Sequence, residues 1–170
     1  GFLAPGLTAH LMREMGFRED CSRADIVGMG CNAGLNGLNP VASWAMANPG
    51  RNALMVCMEV CSAAYVFDMT MRTGIVNSLF GDGAAAVVVG EARGAGGLLV
   101  SLHENHGEYA RELFVPGPDD PEAAEGVHIR FDANGRMFKS VVGRLLPELV
   151  TRALDQAGLR PGDIEHLAPH

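Results

Sequence analysis

An α/β layered fold is the class this sequence predicts, and three observations carry it. The runs at 52–60 (NALMVCMEV) and 84–90 (AAAVVVG) are of strand length, apolar and bounded by turn-forming residues. Between and around them lie segments in which apolar residues recur every three or four positions. The composition, 48% hydrophobic and 19% charged over 170 residues, is too apolar for disorder and long enough to bury one sizeable core. Strands alternating with helices make layers, although the alternation does not encode strand order.

The elements follow in chain order. Residues 5–16 space Leu7, Leu11 and Met15 by four and end at Gly16, which predicts an amphipathic helix with a glycine stop. ADIVGMG at 24–30 reads as a short strand that ends at Cys31. Leu35, Leu38, Val41, Ala42 and Ala45 then follow helical spacing until Asn48-Pro49-Gly50 stops it. The strand 52–60 comes next, and 61–80 is Met-rich with no clean period. GDG at 81–83 turns into the strand 84–90, and GGLLVSL at 96–102 reads as a partner for it. Residues 103–126, with Pro116, Pro118 and Pro121 among acids, read as a polar surface excursion. Met137, Val141, Leu145, Leu149 and Leu154 predict a helix ending at Gly158, with a kink or restart at Pro147. IEHLAPH at 164–170 reads as a last strand.

Charge and composition exclude several classes. Thirteen Lys and Arg against twenty Asp and Glu give a net charge of −7, which rules out a generally basic nucleic-acid binder. No uncharged apolar run approaches the ~18 residues of a membrane span, so the expectation is a cytoplasmic protein without membrane or nucleic-acid partners. Cys21, Cys31, Cys57 and Cys61 lie in core-like text, which fits reduced thiols. Cys57 and Cys61 have no second pair at a zinc interval, and His103 and His106 beside Glu104 and Glu108 fit a solvated loop better than a metal site, so no metal is expected. Arg13, Arg18 and Arg23 read as solvated charge that is available to a phosphate. The chain opens at Gly1 and closes directly after a strand-like segment, as a piece of something longer would.

Cys31 stands between a strand-like run and a helical pattern. There a thiol would meet the unpaired amides and the positive end of the helix dipole, both of which favour the thiolate. Two readings compete: this one, and the small buried hydrophobe that most cysteines are. Asn39-Pro40 reads either as an N-cap and first helical residue, starting the helix well after Cys31, or as an interruption within a helix that starts beside it. Glu59, at the end of a buried strand, requires a hydrogen-bonding or charged partner.

GMGCNAGLNGL, LMVCMEVCS and SLFGDGAAAVVVG, in that order, resemble the cysteine-centred half of the thiolase-fold condensing enzymes, most closely the type III polyketide synthases. GFLAPGLTAHLMREMGF resembles the stretch preceding the nucleophile in that family. DCSRADIVGMGCNAGLNGLNP and CSAAYVFDMTMRTGIVNSLFGDGAAA are similar to the bacterial 3,5-dihydroxyphenylacetyl-CoA synthase branch, which builds an aromatic ring from malonyl-CoA. Three separated motifs in order make a specific signal.

The resemblance implies a thiolase-like layered fold (α-β-α-β-α), present in part: 1–102 as the nucleophile-bearing half without its beginning, 103–134 as the polar excursion, and 135–170 as the start of the C-terminal half. By position, it makes Cys31 the acyl-accepting nucleophile and His170 the catalytic histidine, with His166 as its rival. It sets Phe80 at the mouth of the acyl pocket, Cys61, Ser62 and Ala64 along the cavity, and the loop of Gly81 and Gly83 beside the nucleophile. Those two glycines read on their own as the freedom of a tight turn. The family's third catalytic residue, an asparagine completing the oxyanion site, falls beyond His170.

The implied chemistry is acyl transfer. A thiolate paired with imidazole takes an acyl group from a thioester and holds it while malonyl-CoA is decarboxylated, and the histidine and asparagine donate to the developing enolate oxygen. No cofactor is implied beyond malonyl-CoA as substrate. The implied assembly is a homodimer, although the family's methionine that reaches across the dimer is Ala4 here, and CoA or an acyl carrier protein could deliver the acyl group. Residues 131–170 resemble the β-ketoacyl-acyl-carrier-protein synthase III branch at least as well, which leaves that activity as an alternative; a non-catalytic dimerising partner of a condensing enzyme and a metal-binding module are the others. A partial thiolase fold leaves sheet edges and apolar faces unburied, so the isolated chain is expected to be inactive, and unstable or aggregated unless complemented.

Overall fold

The structure, a computed structural model, describes residues 4–92, 94, 96–117, 119–121, 129–131 and 135–168. The chain divides into two compact units: Gly1–Cys57 with Ala85–Glu91, and Met58–Ala84 with Ala92–His170.

The first unit opens with α1 (Leu7–Met15), which stops at Gly16, whose N–H bonds back to Met12 O. Its start is held by a residue far along the chain. The Asp25 carboxylate accepts the Thr8 N–H at 3.1 Å and the Thr8 hydroxyl at 2.5 Å, while the Arg23 guanidinium donates to Pro5 O at 2.9 Å. The Thr8 hydroxyl, with its backbone N–H and Arg23 nearby, holds the Asp25 carboxyl below its usual range. The segment 24–30, predicted as a strand, is not one: among the described residues it joins no ladder, and its residues are exposed.

Next comes α2 (Ala33–Ala47), running without a break through Pro40. A proline in a helix costs one backbone bond and crowds the preceding turn, and here the surrounding packing holds the helix regardless. Its inward face is the series Gly34, Gly37, Val41 and Ala45, at helical spacing. A Cβ added at Gly37 would lie 3.3 Å from Met55 Sδ, and one at Gly34 would lie 3.7 Å from Cys57 Sγ. Small residues therefore let α2 lie close on β1 (Ala53–Glu59).

β1 and β2 (Gly83–Val89) form a two-stranded sheet. The Asn52 amide fills the space beside Gly90, and Ser62, past the other end of β1, bonds Asp82, so the strands run antiparallel. Along β1, Ala53, Met55 and Cys57 are half-buried while Leu54, Val56 and Met58 between them are exposed. A strand apolar on both faces is built to be covered on both, and one face of this one is open. Among the described residues, the buried positions are Gly6, Gly37, Ala45, Thr73 and Pro116.

In the second unit the Met-rich stretch without a period contains a 3-10 turn (Cys61–Ala64) and α3 (Met71–Leu79). A polar knot starts α3. Asp68 Oδ1 accepts the Thr70 N–H at 3.0 Å and the hydroxyls of Thr70 and Thr73, and Thr70 Oγ1 caps the Thr73 N–H. The knot holds Met69 at φ +62, a left-handed conformation uncommon outside glycine.

Residues 96–102, expected to pair with β2, form no strand, and neither do 164–168 of the expected last strand. A strand exists by its ladder, and neither segment finds one among the described residues. Pro169 and His170 lie outside them.

The stretch from 103 was expected to be a polar surface excursion, and part of it is folded. Pro116 is buried, β3 (Leu113–Phe114) pairs antiparallel with β4 (Arg130–Phe131), and Arg111 stacks 4.2 Å over the Phe114 ring. Glu104 pairs with Arg152 of α4 (Gly135–Ala157). Pro147 neither ends nor restarts α4. The helix runs through it without the Pro147-to-Gly143 backbone bond, and the Thr151 hydroxyl donates to Pro147 O at 2.9 Å. No described helix is long and apolar enough to cross a membrane.

The seam between α2 and β1 yields a test. Gly37→Val inserts two methyls and a Cβ against Met55 and is expected to destabilise the natural full-length protein by about 1–3 kcal/mol. Urea denaturation measures this, and a midpoint equal to wild type would mean that the helix does not seat on Gly37.

Candidate functional site

The delivery of Cys31 begins at Gly28, two residues before the 3-10 turn Gly30–Asn32 that leads into α2. Gly28 at φ +79 and Gly30 at φ +58 flank Met29, and a Cβ at either glycine would meet open space. Conformation rather than crowding therefore demands glycine there. The two left-handed residues turn an extended segment into the 3-10 turn Gly30–Asn32, which runs directly into α2, with the Ala33 N–H bonded to Gly30 O. Of the two readings of Asn39-Pro40, the structure takes the one in which the helix starts beside the cysteine. Cys31 is exposed, so it is not the buried hydrophobe of the competing reading. The Asn32 side chain makes no capping bond to α2, and the positive end of this 15-residue helix lies next to the thiol-bearing residue.

Glu59 is exposed rather than buried, and its Oε1 accepts the neighbouring Val60 N–H at 3.2 Å. No distant partner is needed because the carboxylate stays in water.

In the second unit, Phe80, Gly81 and Gly83 come together with Cys61 and Ala64. Phe80 and Cys61 are half-buried and Ala64 is exposed. The Tyr65 hydroxyl donates to Phe80 O at 2.5 Å. Asp82 receives the Ser62 N–H on Oδ1 at 2.8 Å and the Ser62 hydroxyl on Oδ2 at 2.6 Å. The Asn77 amide donates to Val66 O at 2.8 Å. Neither Gly81 nor Gly83 has a positive φ, so the turn expected from their freedom is organised instead by the carboxylate between them. The Ser62 hydroxyl, expected along a cavity wall, is spent on Asp82. That hydroxyl, with the Ser62 and Cys61 N–H groups, holds the Asp82 carboxyl below its usual range.

His170 lies outside the described residues. Its rival His166 is exposed in a segment without a ladder. His103 Nε2 sits 2.9 Å from Ser101 Oγ, and His106 lies between Glu104 and Glu108 at 3.4 and 3.6 Å. Among the described residues no three ligating groups are placed to share a metal. The three arginines considered for phosphate are engaged locally: Arg13 by Glu14, Arg18 by Asp20 at 2.8 and 2.5 Å, and Arg23 at the start of α1. Sequence reasoning missed Tyr65 and the Ser62–Asp82 contact. The signal for the second was present: an aspartate between two glycines, in a tight link, is a ready acceptor for a hydroxyl across the hairpin.

Residues 3–96 match the model of the FAE1/type III polyketide synthase-like family. A 3,5-dihydroxyphenylacetyl-CoA synthase of Streptomyces toyocaensis is 46% identical over 178 residues, covering all of this chain and 44% of that protein. The C-terminal type III polyketide synthase domain of Steely1 from Dictyostelium superposes with a TM-score of 0.76 at 26% identity, over 94% of this chain and 43% of that one. The β-ketoacyl-acyl-carrier-protein synthase III of Thermus thermophilus does so at 0.75 and 25% identity, over 95% and 49%. The chain thus spans less than half the length of each of these relatives, and the thiolase-like layered fold is present in part.

Two expectations follow from this geometry. Gly30→Ala forces a left-handed alanine at a cost of about 1–2 kcal/mol; a shift of that size in the denaturation midpoint of the full-length protein is expected, and no shift would mean that the turn tolerates a side chain. Asp82, with its folded pKa lowered, contributes stability that is present above its unfolded value and lost as pH falls through the lower folded one. Ser62→Ala should move the Asp82 titration back up toward the ordinary carboxylate range, read by carboxyl chemical shifts against pH, and an unmoved midpoint would dissolve the contact.

Proposed function

The chain belongs to the FAE1/type III polyketide synthase-like family, and on that premise we propose that the protein is an acyltransferase that condenses malonyl-CoA decarboxylatively on a Cys31 thioester. The observation that carries the reading is the exposed Cys31 in the turn that leads straight into an uncapped helix N-terminus. The Cys31 thiolate attacks the carbonyl carbon of an acyl-CoA, and CoA leaves as its thiolate. Malonyl-CoA then loses carbon dioxide, and the electron pair of the broken C–C bond becomes an enolate. The enolate carbon attacks the acyl-Cys31 carbonyl, a C–C bond forms, and the Cys31 thiolate is released.

By the family match, His170 pairs with the thiolate and donates to the enolate oxygen, and Phe80, Cys61 and Ala64 bound the acyl chain. The carbanion equivalent comes from decarboxylation, so no cofactor is invoked. Relatives called 3,5-dihydroxyphenylacetyl-CoA synthase support an aromatic polyketide product. We assign the natural protein to the cytoplasm as a homodimer, whose contact would also cover part of the apolar surface left open here. The near-equal superposition on a β-ketoacyl-acyl-carrier-protein synthase III supports a second reading with the same chemistry and carrier-protein delivery.

Labelled malonyl-CoA and a set of acyl-CoA starters, offered to the full-length protein, test the proposal. Wild type is expected to retain label on protein and release a labelled product, and Cys31→Ala to lose both. Equal labelling of the two proteins would remove Cys31 as nucleophile. Product formed only when the acyl group arrives on a carrier protein would select the second reading.

A further inference from the structure

The strands β1 and β2 stop at Glu59 and Gly83, yet the antiparallel correspondence between their chains does not. Beyond the last ladder residues, Ser62 bonds Asp82, the Tyr65 hydroxyl bonds Phe80 O, and the Asn77 amide bonds Val66 O. Each step forward on one side, from 62 to 65 to 66, is matched by a step back on the other, from 82 to 80 to 77. Side chains have taken over from the backbone ladder. The segment they fix on one side is the 3-10 turn Cys61–Ala64; the segment on the other is Phe80 with its link into β2.

We infer that Ser62, Tyr65 and Asp82, with Asn77, form a brace that sets the position of Phe80 relative to Cys61 and Ala64, and so act as positioning residues for acyl-chain selection. This rests on the proposed reading in one respect only, that Cys61, Ala64 and Phe80 bound the acyl chain. Tyr65 meets Phe80 through its carbonyl, which fixes the backbone and leaves the ring to face its own surroundings. Asp82 holds two donors of one residue with two oxygens, a geometry that resists sliding along the chain as well as opening. Phe80 closes α3 in an extended conformation, φ −113 and ψ 136. With Asn77 holding the last turn of that helix and Asp82 holding the link beyond, Phe80 is pinned from both sides.

The decisive variant is Tyr65→Phe, which deletes one hydroxyl and keeps the ring. Two arms keep the test open whatever the activity proves to be. In the first, Phe80 of the full-length protein is followed by fluorine NMR of a fluorophenylalanine label at that site. A shifted or split Phe80 resonance is expected in Tyr65→Phe and in Asp82→Asn, and an unchanged resonance in both would overturn the brace even if the protein condensed nothing. In the second, short and long acyl-CoA starters compete. Loss of one hydrogen bond should change the ratio of their kcat/KM values by about three- to tenfold, while Cys31 still takes label from the preferred starter. Ser62→Ala should alter the same ratio, and Ser62→Thr, which restores the hydroxyl, should return it toward wild type. An unchanged ratio with normal Cys31 labelling would overturn the inference and leave the proposed reaction standing; absent labelling in wild type would overturn the reaction and leave the NMR arm to judge the brace.

Discussion

A helix can lie close on a strand only when little stands between them, and the seam of Gly34, Gly37 and Ala45 supplies that condition here. Close approach of α2 to Met55 and Cys57 fixes where the helix begins, and the start of the helix fixes where the sulfur of Cys31 emerges. The left-handed glycines before it complete the constraint, because they lead the chain into the 3-10 turn that enters a helix already seated. Replacing glycine by a larger residue acts on the site through this geometry even where it touches no reacting atom.

Periodicity made the helices legible. The expected segment at 5–16 holds α1, that after Cys31 holds α2, and that from Gly135 holds α4, with each end within a residue or two of its glycine or asparagine stop. β1 and β2 were equally plain, since both are unbroken apolar runs with turn residues at their ends. Three other apolar runs, at 24–30, 96–102 and 164–170, looked the same locally, and none of their described residues is in a strand. Composition of a run reports its fitness for a sheet, whereas strand formation also requires a neighbour, which no local pattern contains. α3 was missed for the opposite reason. Its apolar Met71, Ile75 and Leu79 are spaced by four, but the Met-rich text before them blurs the period, and the knot of Asp68, Thr70 and Thr73 that starts the helix reads at first as ordinary polar sequence.

Of the candidate site, the motif order singles out Cys31 and the group around Phe80, and Pro40 conceals that the helix starts beside the cysteine. Pro40 and Pro147 both sit inside unbroken helices, where local rules place a boundary. Both helices continue through their prolines at the cost of one backbone bond each. The large apolar side chains left in water belong to the same account: Val56 and Met58 on β1, Leu35 and Met46 on α2, and Val142, Leu146 and Val150 on α4 stand exposed beside the half-buried positions of their own elements. These elements carry two apolar faces each, as layers in the middle of a stack do.

Where β1 and β2 hand over from main-chain pairing to side-chain pairing, the chain also changes in how it can diversify. A main-chain ladder is indifferent to residue type and can be altered only by shifting the whole strand. The contacts of Ser62, Tyr65, Asn77 and Asp82 can each be removed, lengthened or shortened by a single codon change, with the hairpin behind them intact. Such a junction is a place where single substitutions can vary the local geometry while the main-chain pairing of β1 and β2 stays as it is.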